Sequence, residues 1–264
     1  MQRHFSAARL AVALVLCLLC CLALAAEGKI GVVLMHGKWG TPARYVDGLA
    51  NALRDKGMLV STPLMPWGRG RDYDADYPTA LEQIAAETQS LRQQGAATIV
   101  VAGHSFGANA ALAYATSGAD IAGIVMLAPG HTPERRQFRD RLSASVEKAR
   151  GMLASGKGDE RVSFDDLNQG KMAPIWTTPE IYMSYFDPEG IGAMPKNAAA
   201  IKKPTPLLWV VGRRDPLYGA GEAYAYDNAP AHPKSKFLTV DSDHFNTPRD
   251  ATAAVVSWID SLKN

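Results

Sequence analysis

Cysteine is nearly absent from this chain: there are three, Cys17, Cys20 and Cys21, all inside one early apolar run. Everything after that run has no thiol nucleophile and no disulfide framework. A dominant charge sign is lacking too. The formal net charge is +2, and losing Arg3 and Arg9 with the leader described below leaves 26 basic residues facing 26 acidic ones. Such a balance gives no footprint for nucleic acid and no basic membrane patch. In "RDYDADY", Asp72, Asp74 and Asp76 alternate, but Tyr77 and Gln83 stand where a calcium loop needs its glycine and terminal glutamate. That stretch reads as a solvated loop. There is no internal repeat and no low-complexity linker, and nothing here asks for a metal or an organic cofactor.

At 264 residues and 47% hydrophobic, the chain can bury one substantial core. Its first segment does not belong to that core. Arg3 and Arg9 precede "LAVALVLCLLCCLALAA", which ends in the small residues Ala23, Ala25 and Ala26. A basic start, an apolar middle and an Ala-x-Ala end predict a secretory leader over residues 1–26, cleaved after Ala25 or Ala26. A retained anchor helix is the rival, since the run approaches spanning length. Glu27, Gly28 and a strand-like segment follow at once, which favours cleavage. Lipid anchoring is disfavoured because Leu19 and Cys20, not small residues, precede Cys20 and Cys21. Residues 27–264 are then expected to form a single exported domain, periplasmic or secreted, without stable membrane insertion.

Six apolar, β-branched runs predict buried strands: Ile30–Met35, Met58–Leu64, Thr98–Ala102, Ile121–Leu127, Pro206–Val211 and Phe237–Val240. Continuous rather than alternating apolarity suits strands covered on both faces. Helical stripes lie between them. One starts at Thr41–Pro42 and carries Val46, Leu49, Ala50 and Leu53; another carries Leu81, Ile84, Ala85, Thr88 and Leu91. A closing one follows Thr247 and Pro248 with Val255, Trp258, Ile259 and Leu262. Alternating strands and helices imply an α/β fold with a mainly parallel sheet of about six strands flanked by helices. Residues 131–203 break the rhythm. They carry helical patterns, from Pro133 to Leu153 and around "TTPEIYMSYFDP", but no convincing strand, and read as a helical excursion, cap-like, before the next-to-last strand.

Ligands bind such sheets beyond the carboxyl ends of their strands, and there "TIVVAGHSFGANA" holds Ser105 between Gly103 and Gly107. With a strand before it and an alanine-rich helix after it, this Gly-x-Ser-x-Gly has the context of a nucleophile elbow rather than a plain turn. The new helix start offers backbone N–H groups to an oxyanion. A serine needs a base. Among five histidines beyond the leader, His36 and His104 sit in or beside motifs, and His131 and His232 stand beside prolines like surface residues. His244, in "DSDHFN" after "KFLTV", lies at a strand's carboxyl end. The acid that would orient it is Asp215, after the next-to-last strand. Asp241 and Asp243 are too near His244 in sequence for the usual geometry, and "APGH" after Ile121–Leu127 offers no acid.

The order Ser105, Asp215, His244, together with the elbow, resembles the α/β-hydrolase superfamily over nearly all of the segment after the leader. The resemblance implies an oxyanion hole made by two backbone N–H groups. Lys38, in the His-Gly turn of "LMHGKWG", would give one and Phe106 the other, the Lys38 side chain mattering little, and Trp39 would line the pocket mouth. Two departures stand out. The two strands that usually precede the His-Gly strand are missing, and the turn reads HGKWG rather than HGGG. Arg69 and Arg71 in "MPWGRGRDY" follow the second strand and could hold a substrate carboxylate, although loop arginines are more often solvated or paired. Trp176, Tyr182, Tyr185 and Phe186 read as the core of the excursion, with one or two facing the pocket.

The implied activity is that of an exported serine esterase working through an acyl-enzyme on a small ester or acyl substrate. A thioesterase, amidase or peptidase would use the same residues. A non-catalytic envelope binding protein on the same scaffold is the rival from another class. A cysteine-dependent lactone hydrolase and an aspartate-nucleophile dehalogenase are excluded by serine at the elbow.

Overall fold

A computed structural model describes residues 28–263; the leader expected over 1–26 lies outside them. In chain order the strands are β1 (Lys29–Met35), β2 (Leu59–Ser61), β3 (Ala96–His104), β4 (Gly123–Leu127), β5 (Val162–Asn168), β6 (Lys171–Thr177), β7 (Leu207–Gly212) and β8 (Lys236–Val240). The helices are α1 (Asp47–Asp55), α2 (Tyr77–Gln93), α3 (Phe106–Ala115), α4 (Arg136–Ala154), α5 (Pro179–Phe186), α6 (Met194–Ala200), α7 (Thr247–Asp250) and α8 (Thr252–Asp260). Six strands form one sheet in the order β2-β1-β3-β4-β7-β8. Every pairing in it is parallel. Among the described residues, no helix is long and apolar enough to cross a membrane.

The two-residue period of a strand divides the core in two. Val33, Val101, Ile124, Met126 and Val211 face α2, α3 and the excursion, alongside Ile84, Leu112 and Tyr185. Their neighbours Val32, Val100, Val125 and Val210 face the other way, onto Leu49 and Leu53 of α1 and Val255, Trp258 and Ile259 of α8. Burial on both faces is why these strands are apolar throughout.

Three boundaries differ from expectation. The second strand covers only Leu59–Ser61 of the anticipated Met58–Leu64, because Pro63 has no N–H to continue an edge ladder. The helix expected from Thr41 begins at Asp47. Tyr45, at φ 67°, breaks the helical path and places its ring 5.1 Å from that of Phe245. The excursion, finally, is not all helix. Besides α4, α5 and α6 it contains an antiparallel hairpin, β5 with β6, in which Asp165 faces Pro174. Its tip uses Gln169 at φ 49° and Gly170 at φ 77°, the left-handed pair that closes a two-residue hairpin turn.

Candidate active site

The elbow's shape follows from its glycines. A Cβ on Gly103 would sit 2.1 Å from the Gly107 carbonyl carbon, and one on Gly107 2.6 Å from the Met35 carbonyl oxygen. Only glycines let β3 turn this sharply into α3 against β1. Ser105 occupies the bend at φ 56° and ψ −116°, a conformation that costs a non-glycine residue about 1–3 kcal/mol. Its N–H is held by the Leu127 carbonyl of β4 at 2.9 Å.

The three sequence-predicted polar residues, from three separate strand ends, come together. Ser105 Oγ donates to His244 Nε2 across 3.0 Å. His244 Nδ1–H donates to Asp215 Oδ2 across 2.6 Å, since a carboxylate can only accept. The second Asp215 oxygen accepts the Leu217 N–H at 2.7 Å. Ser105, Asp215 and His244 are 5%, 6% and 4% exposed, so little water competes for these bonds. The nearer acids point elsewhere. Asp241 pairs with Arg214, and Asp243 Oδ1 takes the Phe245 and Asn246 amides at 3.0 and 2.8 Å.

Both motif histidines brace this arrangement. His104 Nε2–H donates to the His244 carbonyl at 2.8 Å, tying the elbow to the histidine loop. Burial first, then the nearby His244, lowers the His104 pKa to about 3, so its ring is neutral at any ordinary pH. His36 donates from Nδ1 to the Gly37 carbonyl at 2.8 Å and accepts the Met65 N–H at Nε2, 3.1 Å away. The turn it fixes lies against the elbow: a Cβ on Gly37 would be 2.9 Å from that of Ser105. Among the described residues, neither the Lys38 nor the Phe106 amide donates a backbone hydrogen bond, whereas Trp39 N–H goes to the Trp67 carbonyl at 2.9 Å.

The Lys38 side chain departs from expectation. It is not a bystander but half of a buried ion pair, its Nζ 2.6 Å from Asp166 Oδ1 in β5. The same ammonium donates to the Leu167 carbonyl at 3.0 Å and lies among the rings of Phe106, Phe138 and Phe186, 5.2–5.6 Å from each centroid. Burial lowers the Lys38 pKa, and Asp166 opposes that shift. Asp166 also accepts Trp39 Nε1 at 2.9 Å, Tyr73 OH at 2.8 Å and the Leu167 N–H at 2.7 Å. One carboxylate from the excursion thus grips the turn that carries Lys38 and Trp39.

Lys38 lines the cavity of about 320 Å³ beside Ser105, while the expected substrate contacts Trp39, Arg69 and Arg71 are not among its lining residues. Trp39 is turned to Asp166. Arg69 is exposed on its loop. Arg71 is engaged by Asp74, by Gln83 of α2 and by the Leu64 carbonyl. Asp76 caps α2 through the Thr79 N–H at 2.8 Å, and among the described residues no cluster of side chains could hold a metal ion.

His131 is not a surface residue as its proline neighbour suggested. It is buried, stacked on Phe106 at 3.9 Å between ring centroids, and donates from Nε2 to the Tyr185 carbonyl at 2.8 Å. The reason is position: it follows β4, so the loop turns inward beneath the excursion. Gly130, just before it, is also constrained, since a Cβ there would lie 2.8 Å from Ser105 Oγ. A side chain there would fill the space directly against the Ser105 hydroxyl. Trp176 is corrected in the opposite sense: it stands on β6 and is 62% exposed, whereas Tyr182, Tyr185 and Phe186 are buried.

The fold and this edge define a class: a parallel α/β protein with a serine elbow, an acid and a histidine at the ends of β3, β7 and β8. The sequence model of the alpha/beta hydrolase family matches residues 32–257, and the chain belongs to that family. No curated protein matches the chain. Among solved structures it is similar to a monoacylglycerol lipase from Paleococcus ferrophilus, at 20% identity and a TM-score of 0.63, covering 89% of this chain and 96% of that one. One of the metagenome-derived lipolytic enzymes LipS and LipT gives 18% identity and a TM-score of 0.63, covering 89% and 95%. Est1E from Butyrivibrio proteoclasticus, with ferulic acid bound, gives 17% identity and a TM-score of 0.61, covering 90% of each chain. At these identities the likeness is one of fold.

Proposed function

We propose that this alpha/beta hydrolase is an exported serine esterase that cleaves a small carboxylic ester through an acyl-enzyme. The observation that carries the reading is the relay itself, Ser105 Oγ to His244 Nε2 to Asp215, buried at the strand ends beside an open cavity. His244 keeps its proton on Nδ1, so Nε2 is free to take the serine's. Ser105 Oγ attacks the ester carbon, the Lys38 and Phe106 amides receive the oxyanion, and His244 returns the proton to the departing alcohol. Water, deprotonated by His244, then attacks the acyl-serine, and the same proton returns to Ser105 as the acid leaves. A thioester or amide could follow the same path, but an ester is chemically the least demanding substrate.

The test is covalent labelling with a serine-reactive fluorophosphonate, followed by turnover of esters graded in chain length. A non-catalytic binding protein on this scaffold has no activated serine and takes up no label. Within the relay, Asp215→Asn keeps the shape but favours the wrong imidazole tautomer, which costs roughly four orders of magnitude in a serine protease triad. A loss of at least about two orders in kcat is expected here, some activity surviving if another acid partly substitutes. Asp241→Asn and Asp243→Asn should change kcat little, since those carboxylates serve Arg214 and the loop amides. Near-normal turnover in Asp215→Asn, with a collapse in either of the others, moves the acid's role.

Export rests on the order of residues 1–26, basic, apolar and then Ala-x-Ala. Mass spectrometry of the exported protein should find an amino terminus at Ala26 or Glu27. An intact Met1 in a membrane fraction would defeat the assignment.

A further inference from the structure

The space at Ser105 is divided. On the His244 side lies a recess of only about 10 Å³, bounded by Gly37, Gly40, Tyr45, His104 and Phe245. The cavity of about 320 Å³ has Ser105 but not His244 in its lining. A base that hands its proton to the departing alcohol must lie on that alcohol's side of the scissile bond. The alcohol therefore leaves past the narrow recess, and the acyl part occupies the larger cavity.

The lining of that larger cavity is uneven in charge. Phe138, Leu167, Pro216 and Leu217 give it apolar walls, but Arg135 and Arg141 also line it. Arg135 stands at the N-cap of α4, and Phe138 and Arg141, spaced by three in its first turns, lie together on its surface. The Arg135 guanidinium is held over the Tyr224 ring, 5.4 Å from its centroid. Among the described residues neither arginine has an ion-pair partner, whereas Arg136 and Arg150, on the same helix, have Asp140 and Asp187. The other cation in the lining, Lys38, is matched by Asp166. The one carboxylate in the lining is Asp215, and both its oxygens are engaged, by His244 and by the Leu217 N–H. Glu134, beside Arg135, does not line the cavity. It is bonded to the Tyr224 hydroxyl; burial raises its pKa, opposed by that hydrogen bond and by the charge of neighbouring Arg135. Two planar donors without an ion-pair partner among the described residues thus line a cavity in which, Lys38 and Asp215 aside, the polar side chains of Thr132, Gln137, Asn168 and Gln169 are uncharged.

We propose that the acyl group carries an anionic oxygen group, carboxylate or phosphate-like, at its far end, held by Arg135 and Arg141. This rests on the ester-hydrolase reading and narrows its substrate class to half-esters and related acids. Arginine forks suit such groups bidentately; Arg135 is half-buried against Tyr224, while Arg141 is exposed and reaches the group from the solvent side.

The experiment compares 4-nitrophenyl hydrogen adipate with 4-nitrophenyl hexanoate, which differ only in a terminal carboxylate, and adds the 6-phosphonohexanoate. For the wild-type enzyme, kcat/KM should favour one of the anionic esters by at least about tenfold, the scale of one charge-assisted hydrogen bond. The advantage should shrink in about 1 M salt. In Arg135→Gln/Arg141→Gln the anionic and neutral esters should converge to within about twofold. Arg139→Gln, exposed on α4 and absent from the lining, should preserve the preference, which separates local contact from net charge. A wild-type enzyme that favours hexanoate, or a preference that survives in the double variant, overturns the proposal. If no ester is turned over, calorimetric titration with adipate keeps the two ideas distinct. Binding that is lost in the double variant upholds the anion subsite while the esterase reading fails; absence of binding sinks the subsite too.

Discussion

Ser105→Ala is expected to lower ester turnover by about four to six orders of magnitude and to abolish fluorophosphonate labelling, with the fold intact. The upper figure is the loss when the nucleophile is removed from a serine protease; the oxyanion hole and binding alone leave a residual rate above that in water. The substitution removes one hydroxyl that donates to His244 and keeps the Cβ that packs against the His36-Gly37 turn, so stability should move by less than about 1 kcal/mol. Ser105→Gly makes a sharper companion. It should be equally inactive, yet no less stable than the wild type. The bend at φ 56° costs serine about 1–3 kcal/mol, while glycine's greater freedom in the unfolded chain costs about 1 kcal/mol. The checks are probe labelling, ester kinetics and urea denaturation of the three proteins. Persistent labelling of Ser105→Ala sinks the nucleophile. A glycine variant weaker by more than about 1 kcal/mol shows that the bend holds no strain.

The sheet and its polar edge are legible in the chain for one physical reason each. Strands buried on both faces must be apolar at every position, so Ile30–Met35 and Pro206–Val211 stand out without help from neighbours. Ser105, Asp215 and His244 each follow such a run directly, and a parallel sheet sends all those ends to one side. The excursion is harder to read because its hairpin is apolar on one face only. Phe164 and Asp166 point inward from β5, Ile175 and Thr177 from β6, and two of those four are polar. The alternation, with Gln169-Gly170 between the arms, is the signal that could have revealed it. His131 was open to the strand-end rule that singles out His244, since it follows β4, but its proline neighbour masks that. Asp166 carries no local mark at all. Its partner Lys38 lies 128 residues away, and only the folded chain brings the two together.

Lys38→Met should destabilise the protein by about 3–5 kcal/mol, the cost of leaving one member of a buried ion pair uncompensated. For a domain of this size that corresponds to a fall of roughly 10 °C in Tm. The geometry leaves little room for a smaller effect. Asp166 is fully buried, and without the ammonium its charge rests on three neutral donors, Trp39, Tyr73 and the Leu167 amide. Water cannot reach it cheaply, because Phe106, Phe138 and Phe186 surround the lysine's place. Lys38→Met/Asp166→Leu removes both charges at once and should recover most of the loss, as apolar replacement of buried pairs often does. Turnover should respond differently. The Lys38 backbone amide survives either change, but the carboxylate that anchors its turn is lost or weakened. Measured well below each Tm, kcat should fall by no more than the about 10²–10³ that removing one oxyanion donor costs. Thermal and urea denaturation of the two single variants and the double variant close the cycle. A Lys38→Met protein that melts within about 2 °C of wild type leaves the ion pair energetically idle. A kcat that falls further than an absent donor allows gives the lysine side chain a direct part in the chemistry.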